Sequence, residues 1–206
     1  MSINFHKILV IGDVAVGKTS LVNRVVYNSF SEKYKATIGC EFGIKMMKID
    51  GEDVRIQLWD LAGQDRLGGI SRLYCRDAHG AIVVSDITRQ DTIDKALVWK
   101  SIVDDQTKTQ SGGSIPMILC VNKYDLADEG LKLSNEELQK FAIEKNFAAA
   151  FFTSAKTGQN SETAIETLIR EVLKISTVKN NKIEESISTG ATKIMKAKYA
   201  KKKSCC

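Results

Sequence analysis

The sequence predicts an α/β fold: a six-stranded, mostly parallel sheet with one antiparallel edge strand and helices on both faces. Three observations carry this. Continuous apolar runs at 7–11, 81–84 and 117–121 read as buried parallel strands. Stretches with apolar residues at helical spacing lie between them. Two alternating segments flank the turn dipeptide Asp50-Gly51, which is the pattern of a hairpin and supplies the antiparallel edge.

The elements follow in chain order. Residues 7–11 form the first strand, ending at Gly12, and 18–27 a helix with Leu21, Val22, Val25 and Val26 on one face. In 40–49, Phe42, Ile44 and Met46 alternate with Gly43, Lys45 and Met47, and 54–59 returns alongside. A helix over 92–107 separates the runs at 81–84 and 117–121. Ser134 and Glu137 make a capping box that opens a helix to about 145. A short strand at 149–153 precedes a closing helix over 161–178, with Ala164, Ile165, Leu168, Ile169, Val172 and Leu173 on one face. There is no internal repeat. Beyond 178 the chain turns polar and poor in aromatics, so the expected organisation is a domain over 1–178 and a flexible basic tail over 179–206.

Composition excludes several classes. At 206 residues, with 43% apolar and 27% charged, one domain with a real core is expected. No apolar run reaches the length of a membrane span, and no secretory signal precedes the first strand. Ser2 argues against N-myristoylation. Eight Lys and two Glu give 176–206 a charge of +6, so the body stands near −1 in a chain of +5. Nucleic-acid binding calls for basic residues on the folded surface. A basic end on a neutral body suits an anionic surface instead. Cys40, Cys75 and Cys120 read as small core thiols in a reducing compartment. His6 and His79 read as packing or surface residues, and no zinc spacing exists.

Four motifs carry chemistry. Gly12-Asp-Val14-Ala15-Val16-Gly17-Lys18-Thr19 matches the phosphate-loop pattern and lies between a strand and a helix. Its glycines let backbone N–H groups curl around phosphates, aided by the helix N-terminus. Lys18 would reach the β- and γ-phosphates and Thr19 would ligate magnesium; Ser20 follows in the same turn. Asp60-Leu-Ala-Gly63 follows the third strand: Asp60 can hold magnesium through water, Gly63 can offer its N–H to the γ-phosphate, and Gln64 is placed to orient water. Asn122-Lys123-Tyr-Asp125 follows a strand, and the Asp125 carboxylate can accept two hydrogen bonds from guanine that adenine cannot donate. Ser154-Ala155-Lys156 follows the last strand, where a backbone N–H can reach the guanine O6.

Four such motifs in this order resemble the Ras-like small GTPases, and within them the Rab family. The resemblance runs from about residue 7 to 178. Its marks are Lys35-Ala-Thr-Ile-Gly-Cys-Glu-Phe42, Ile56-Gln-Leu-Trp-Asp-Leu-Ala-Gly-Gln64 and Cys205-Cys206. It implies a phosphate-loop GTPase fold and a switch that binds GTP or GDP with magnesium and hydrolyses GTP slowly, with Gln64, Lys18 and Thr37 catalytic. It implies that Thr37 binds magnesium and the γ-phosphate, that Phe30 packs edge-on against guanine, and that Tyr34 closes over the phosphates. The trio Phe42, Trp59 and Tyr74 would be read by effectors; the alternative is plain core packing. Cys205 and Cys206 resemble a double geranylgeranylation site, with Lys201, Lys202 and Lys203 adding attraction to anionic lipid.

The resemblance further implies an exchange factor, an activating protein, a GDP-dissociation inhibitor, an escort protein and GTP-state effectors. The chain would be a monomer cycling between cytosol and the cytoplasmic face of intracellular membranes. Leu61 stands where Thr is usual and resembles a smaller Rab branch of lysosome-related organelles and phagosomes, so an endosomal, lysosome-related or phagosomal membrane is expected. Asp65 and Leu67 depart from Glu and Phe in switch II. Val14 and Ala15 also depart from small residues, and they alone favour an alternative: a GTP-holding scaffold with negligible turnover. A nucleotide kinase is disfavoured by 122–125 and by the lack of an arginine-rich lid.

Overall fold

The computed structural model of the chain describes residues 4–63, 72–107, 113–129 and 132–176. The expectations for Gln64, Asp65, Leu67, Cys205, Cys206, the last two residues of the closing helix over 161–178 and the tail over 179–206 lie outside these residues. By contacts the chain divides into units Met1–Glu171 and Val172–Cys206. Of the second, 172–176 are helical, and Ser176 Oγ donates to the Val172 carbonyl at 3.1 Å.

In the first unit, β1 (Asn4–Gly12) leads to α1 (Lys18–Tyr27). The hairpin β2 (Cys40–Ile49) and β3 (Glu52–Leu61) follows, then the short α2 (Arg72–Cys75). Next come β4 (Gly80–Asp86), α3 (Gln90–Gln106), β5 (Met117–Asn122), a 3₁₀ helix (Tyr124–Glu129), α4 (Asn135–Glu144) and β6 (Ala149–Phe152). Helix α5 starts at 161. The strand order is β2-β3-β1-β4-β5-β6, with β2 antiparallel to β3 and every other pair parallel.

Alternation along the strands sends side chains to two faces. Leu9, Ile11, Val83 and Leu119 join Ile93, Ala96, Trp99 and Val103 of α3 and Leu138 and Ala142 of α4 in one core cluster. Ile8, Val10, Ile56 and Leu58 are buried on the other face, as are Leu21, Val22 and Val25 of α1. Each fully buried Ile or Leu contributes roughly 1.5–3 kcal/mol. The α5 residues Ala164, Ile165, Leu168 and Ile169 are also buried.

The local signals act as their chemistry demands. Asp50 and Gly51 both take positive φ, 51° and 90°, and leave Ile49 opposite Glu52 in a two-residue turn. The Ser134 hydroxyl accepts from the Glu137 N–H at 3.2 Å, and the Glu137 carboxylate accepts from the Ser134 N–H at 2.8 Å. Cys75 and Cys120 are buried and Cys40 half-buried; burial pushes their thiols up to about 11, 12 and 11 respectively, so none is a thiolate at neutral pH.

The strands add details that the sequence patterns leave open. β1 begins at Asn4 because Asn4, Phe5 and His6 pair with Val54, Arg55 and Ile56, a partnership that apolar content does not announce. His6 is a packing residue, as expected, edge-on to His79 at 5.2 Å, and burial followed by His79 lowers its pKa. The alternating face Phe42, Ile44 and Met46 of β2 is exposed, whereas Gly43 faces α1, where a Cβ would sit 2.9 Å from Val26 Cγ2.

Candidate functional site

The connections after β1, β3, β5 and β6 gather at the carboxyl edge of the sheet, where open α/β sheets place their ligands. A cleft of about 850 Å³ opens there, within the range of small-molecule sites. Of the residues expected at a nucleotide, Val14, Ala15, Gly17, Lys18, Thr19, Ser20, Phe30, Tyr34, Thr37, Gly63, Asn122, Lys123, Asp125, Ala155 and Lys156 line it. Val16 and Ser154 do not. Val16 is buried and its carbonyl accepts from Asn122 Nδ2 at 2.9 Å; Ser154 is buried and its hydroxyl donates to Asp125 Oδ1 at 2.5 Å. Five lysines against three acidic side chains make the lining net positive, which favours a polyphosphate.

At the phosphate end, Gly17 adopts φ 95° as the residue before α1. Asn122 packs against it so closely that any side chain there would collide with the Asn122 amide. The Lys18 ammonium is buried and donates to the carbonyls of Gly12 at 3.1 Å and Asp13 at 2.9 Å. Burial pulls its pKa down to about 8, against the opposing pull of Asp60 and Asp13. Gly63 lies so near that a Cβ would stand 2.7 Å from the Asp13 carbonyl and from Lys18 Nζ.

Thr19 of α1, Thr37 of the 28–39 loop and Asp60 of β3 converge. Thr19 Oγ1 donates to Asp60 Oδ2 at 2.5 Å and lies 2.8 Å from Thr37 Oγ1, which is 3.3 Å from the same carboxylate oxygen. Burial raises the Asp60 pKa, although the Thr19 hydroxyl and Lys18 pull the other way. Its Oδ1 is buried with no partner among the described residues. All-oxygen donors, an unpaired buried carboxylate oxygen and spacings near the ~3 Å edge of a magnesium octahedron fit that ion.

At the other end, Asn122 Oδ1 accepts from the Ala155 N–H at 3.2 Å, so one side chain ties the phosphate loop to the loop after β6. Lys123, at φ 62°, pairs with Asp86 at 2.6 Å. Tyr124 stacks on Phe152 at 4.7 Å. Arg24 Nε and Nη2 donate to the carbonyls of Ala155 at 2.8 Å and Lys156 at 2.7 Å. Lys156 pairs across the cleft mouth with Glu32 at 3.1 Å. Arg24, Asp86 and Glu32 carry no motif in the sequence, because the partners that tie them to the site, Ala155, Lys123 and Lys156, are remote in the chain.

Phe42, Trp59 and Tyr74 form a chain of ring contacts, 6.0 Å and 6.3 Å apart, with Phe42 largely exposed. Lys7 Nζ lies 4.0 Å over the Trp59 ring. No helix of the described residues is long and apolar enough to cross a membrane.

Comparison with known proteins agrees with this geometry. The sequence model of the Ras family matches residues 7–174. The chain is 37% identical to the Ras-related protein Rab-32A of Dictyostelium discoideum over 203 residues, 98% of this chain and 93% of that one. It is 42% identical to the Ras-related protein Rab-32 of Homo sapiens over 171 residues, 82% of this chain and 76% of the relative. It is 37% identical to the Ras-related protein Rab-7L1 of Mus musculus over 207 residues, 98% of each.

Proposed function

This chain belongs to the Ras family, in its Rab branch near Rab-32 and Rab-7L1, and from that premise we propose how its own residues run the cycle of a membrane-traffic GTPase. Rab proteins are GTP hydrolases that act as switches, so the open questions are which groups bind, sense and release the nucleotide here. The convergence of Thr19, Thr37 and Asp60 at the phosphate end of the cleft that Asp125 lines carries the reading.

Asp125 recognises guanine, its carboxylate already aligned by the Ser154 hydroxyl, and Phe30 covers the base. The 14–19 amides and Lys18 hold the β- and γ-phosphates; the Lys18 ammonium has three N–H groups and gives two to the Gly12 and Asp13 carbonyls, so a third is left for a phosphate oxygen. Thr19, Thr37 and Asp60 would hold magnesium, which neutralises charge on the transferred phosphoryl group. Thr37 therefore links the 28–39 loop to the γ-phosphate, and Gly63, packed against Asp13, links the end of β3 to it. Gln64 orients the attacking water. Loss of the γ-phosphate removes what holds both segments, and they relax. Partners that prefer one state read the difference at Phe42, Trp59 and Tyr74.

The tail from 179 carries the membrane step: Cys205 and Cys206 take two geranylgeranyl chains, and two chains give stable attachment where one gives marginal binding. Escort protein, GDP-dissociation inhibitor, exchange factor and activating protein are its partner classes. Leu61 and the kinship to Rab-32 support lysosome-related, endosomal or phagosomal membranes.

The test is Asp125→Asn. The amide keeps the side chain's shape but turns one acceptor into a donor, which suits a base with a carbonyl at C2. Guanine nucleotide affinity should fall at least a hundredfold and xanthine nucleotide affinity should rise. Unchanged GDP binding would overturn the assignment of Asp125.

A further inference from the structure

The crest of the phosphate loop is held from behind by a side chain that the cycle above does not use. Arg89, the residue before α3, donates from Nη2 to the Val14 carbonyl at 2.8 Å and from Nε to Asp86 Oδ2 at 3.3 Å. The Val14 N–H, in turn, donates to Asp13 Oδ1 at 2.8 Å, and Asp13 Oδ2 accepts from Lys95 Nζ at 2.9 Å. Both backbone groups of Val14 are thus fixed by side chains anchored on β4 and α3. Burial opposes the Asp13 charge, but Lys95 and the Val14 N–H outweigh it and hold its carboxyl below the usual range.

The next residue explains why such bracing is needed. Ala15 has φ 60°, in the left-handed region that glycine tolerates and alanine resists. Without support this peptide would relax. A trans peptide is planar, so a carbonyl and the following N–H point in opposite directions. With the Val14 carbonyl turned to Arg89, the Ala15 N–H must point away from Arg89, and both Val14 and Ala15 line the cleft. Among the described residues that amide has no acceptor of its own.

We propose that Arg89 is a positioning residue for GTP binding and hydrolysis: it locks the Val14–Ala15 peptide so that the Ala15 N–H is presented to the nucleotide's phosphates. Asp86 extends the device, because the carboxylate oxygen that orients Arg89 also receives Lys123 at 2.6 Å. One buried acid thereby sets both the phosphate crest and the base-side motif. The inference rests on the reading that the cleft binds phosphates at 14–19.

The experiment compares wild type, Arg89→Ala and Arg89→Lys. GDP release is followed with a fluorescent GDP, and the phosphorus resonances of bound GDP are recorded by NMR. Arg89→Ala should release GDP about tenfold faster, the range expected for one hydrogen bond from a charged donor. It should also move the β-phosphate resonance while leaving the α-phosphate resonance in place. Arg89→Lys, with one nitrogen where Arg has a fork, should recover part of the release rate and part of the β-phosphate shift. An unmoved β-phosphate resonance in Arg89→Ala overturns the proposal, even if that variant melts lower, since a merely structural role predicts melting without the shift. So does a lysine variant no better than alanine. A wild-type protein that binds no GDP would instead overturn the reading of the cleft itself.

Discussion

Raising the pH from about 7.5 to about 9 should loosen GDP without unfolding the protein, and the cause is one ammonium group. Lys18 is buried and its pKa stands near 8 in the free site, where an ordinary lysine has 10.5. A shift of that size corresponds to about 3 kcal/mol of unfavourable charge burial. Phosphates held at Lys18 as proposed would supply the missing counter-charge, so binding would restore the high pKa and take up a proton wherever the free site has lost it. The sign follows. Below pH 8 both free and bound sites carry the charge, and affinity is flat. Above pH 8 the free amine must be reprotonated, and between about pH 7.5 and 9 GDP affinity should fall about eightfold. Folding shows the opposite trend: the unfolded chain holds this proton more tightly, so Lys18's contribution to nucleotide-free stability improves as pH rises from 8 toward 10.5. Calorimetry in two buffers of different ionisation enthalpy would count the proton directly. Lys18→Gln supplies the baseline: its residual affinity should carry only the dependence that guanine's own ionisation imposes, and the wild type should fall about eightfold beyond it. Wild-type affinity no steeper than the variant's, or equal proton uptake in both proteins, would show that Lys18 does not titrate on binding.

Val14 lines the cleft at the crest of the phosphate loop, so Val14→Gly should raise single-turnover hydrolysis several-fold; a rate no faster than wild type would remove the steric reading. Asn122→Ala should destabilise the protein by about 2–4 kcal/mol and speed GDP release. It strands the buried Val16 carbonyl and Ala155 N–H, each of which costs roughly 1–3 kcal/mol unpaired. Urea unfolding measures the loss, and a change under about 0.5 kcal/mol would show that the tie is not structural.

The parts of the fold legible in the sequence are those set by local chemistry. The strand at 7–11, the glycine loop and the helix from 18 are neighbours in the chain, so their order alone announces the phosphate end. Asp50-Gly51 defines the hairpin register by itself, and Ser134 with Glu137 marks a helix start within four residues. What escaped was set by distance. Arg24 reaches Ala155 and Lys156 across more than a hundred residues, and Arg89 reaches the Val14 carbonyl across 75. Such contacts go from side chain to backbone, so residue types on the receiving side carry no mark of them. Asn122 was expected as a nucleotide contact, and its hydrogen bonds add a second task, holding two loops together. The 3₁₀ turn at Tyr124–Glu129, anchored at its start where Tyr124 stacks on Phe152, is too short to show a period.

A cleft that selects guanine and turns GTP over slowly is the core of the proposed switch. The most direct measurement extracts the nucleotide that copurifies, then follows phosphate release from GTP-loaded protein with magnesium in wild type and Gln64→Leu. A guanine-selective switch requires bound guanine nucleotide, slow release and a further drop in the variant. Bound adenine nucleotide, or equal release from both proteins, would contradict it.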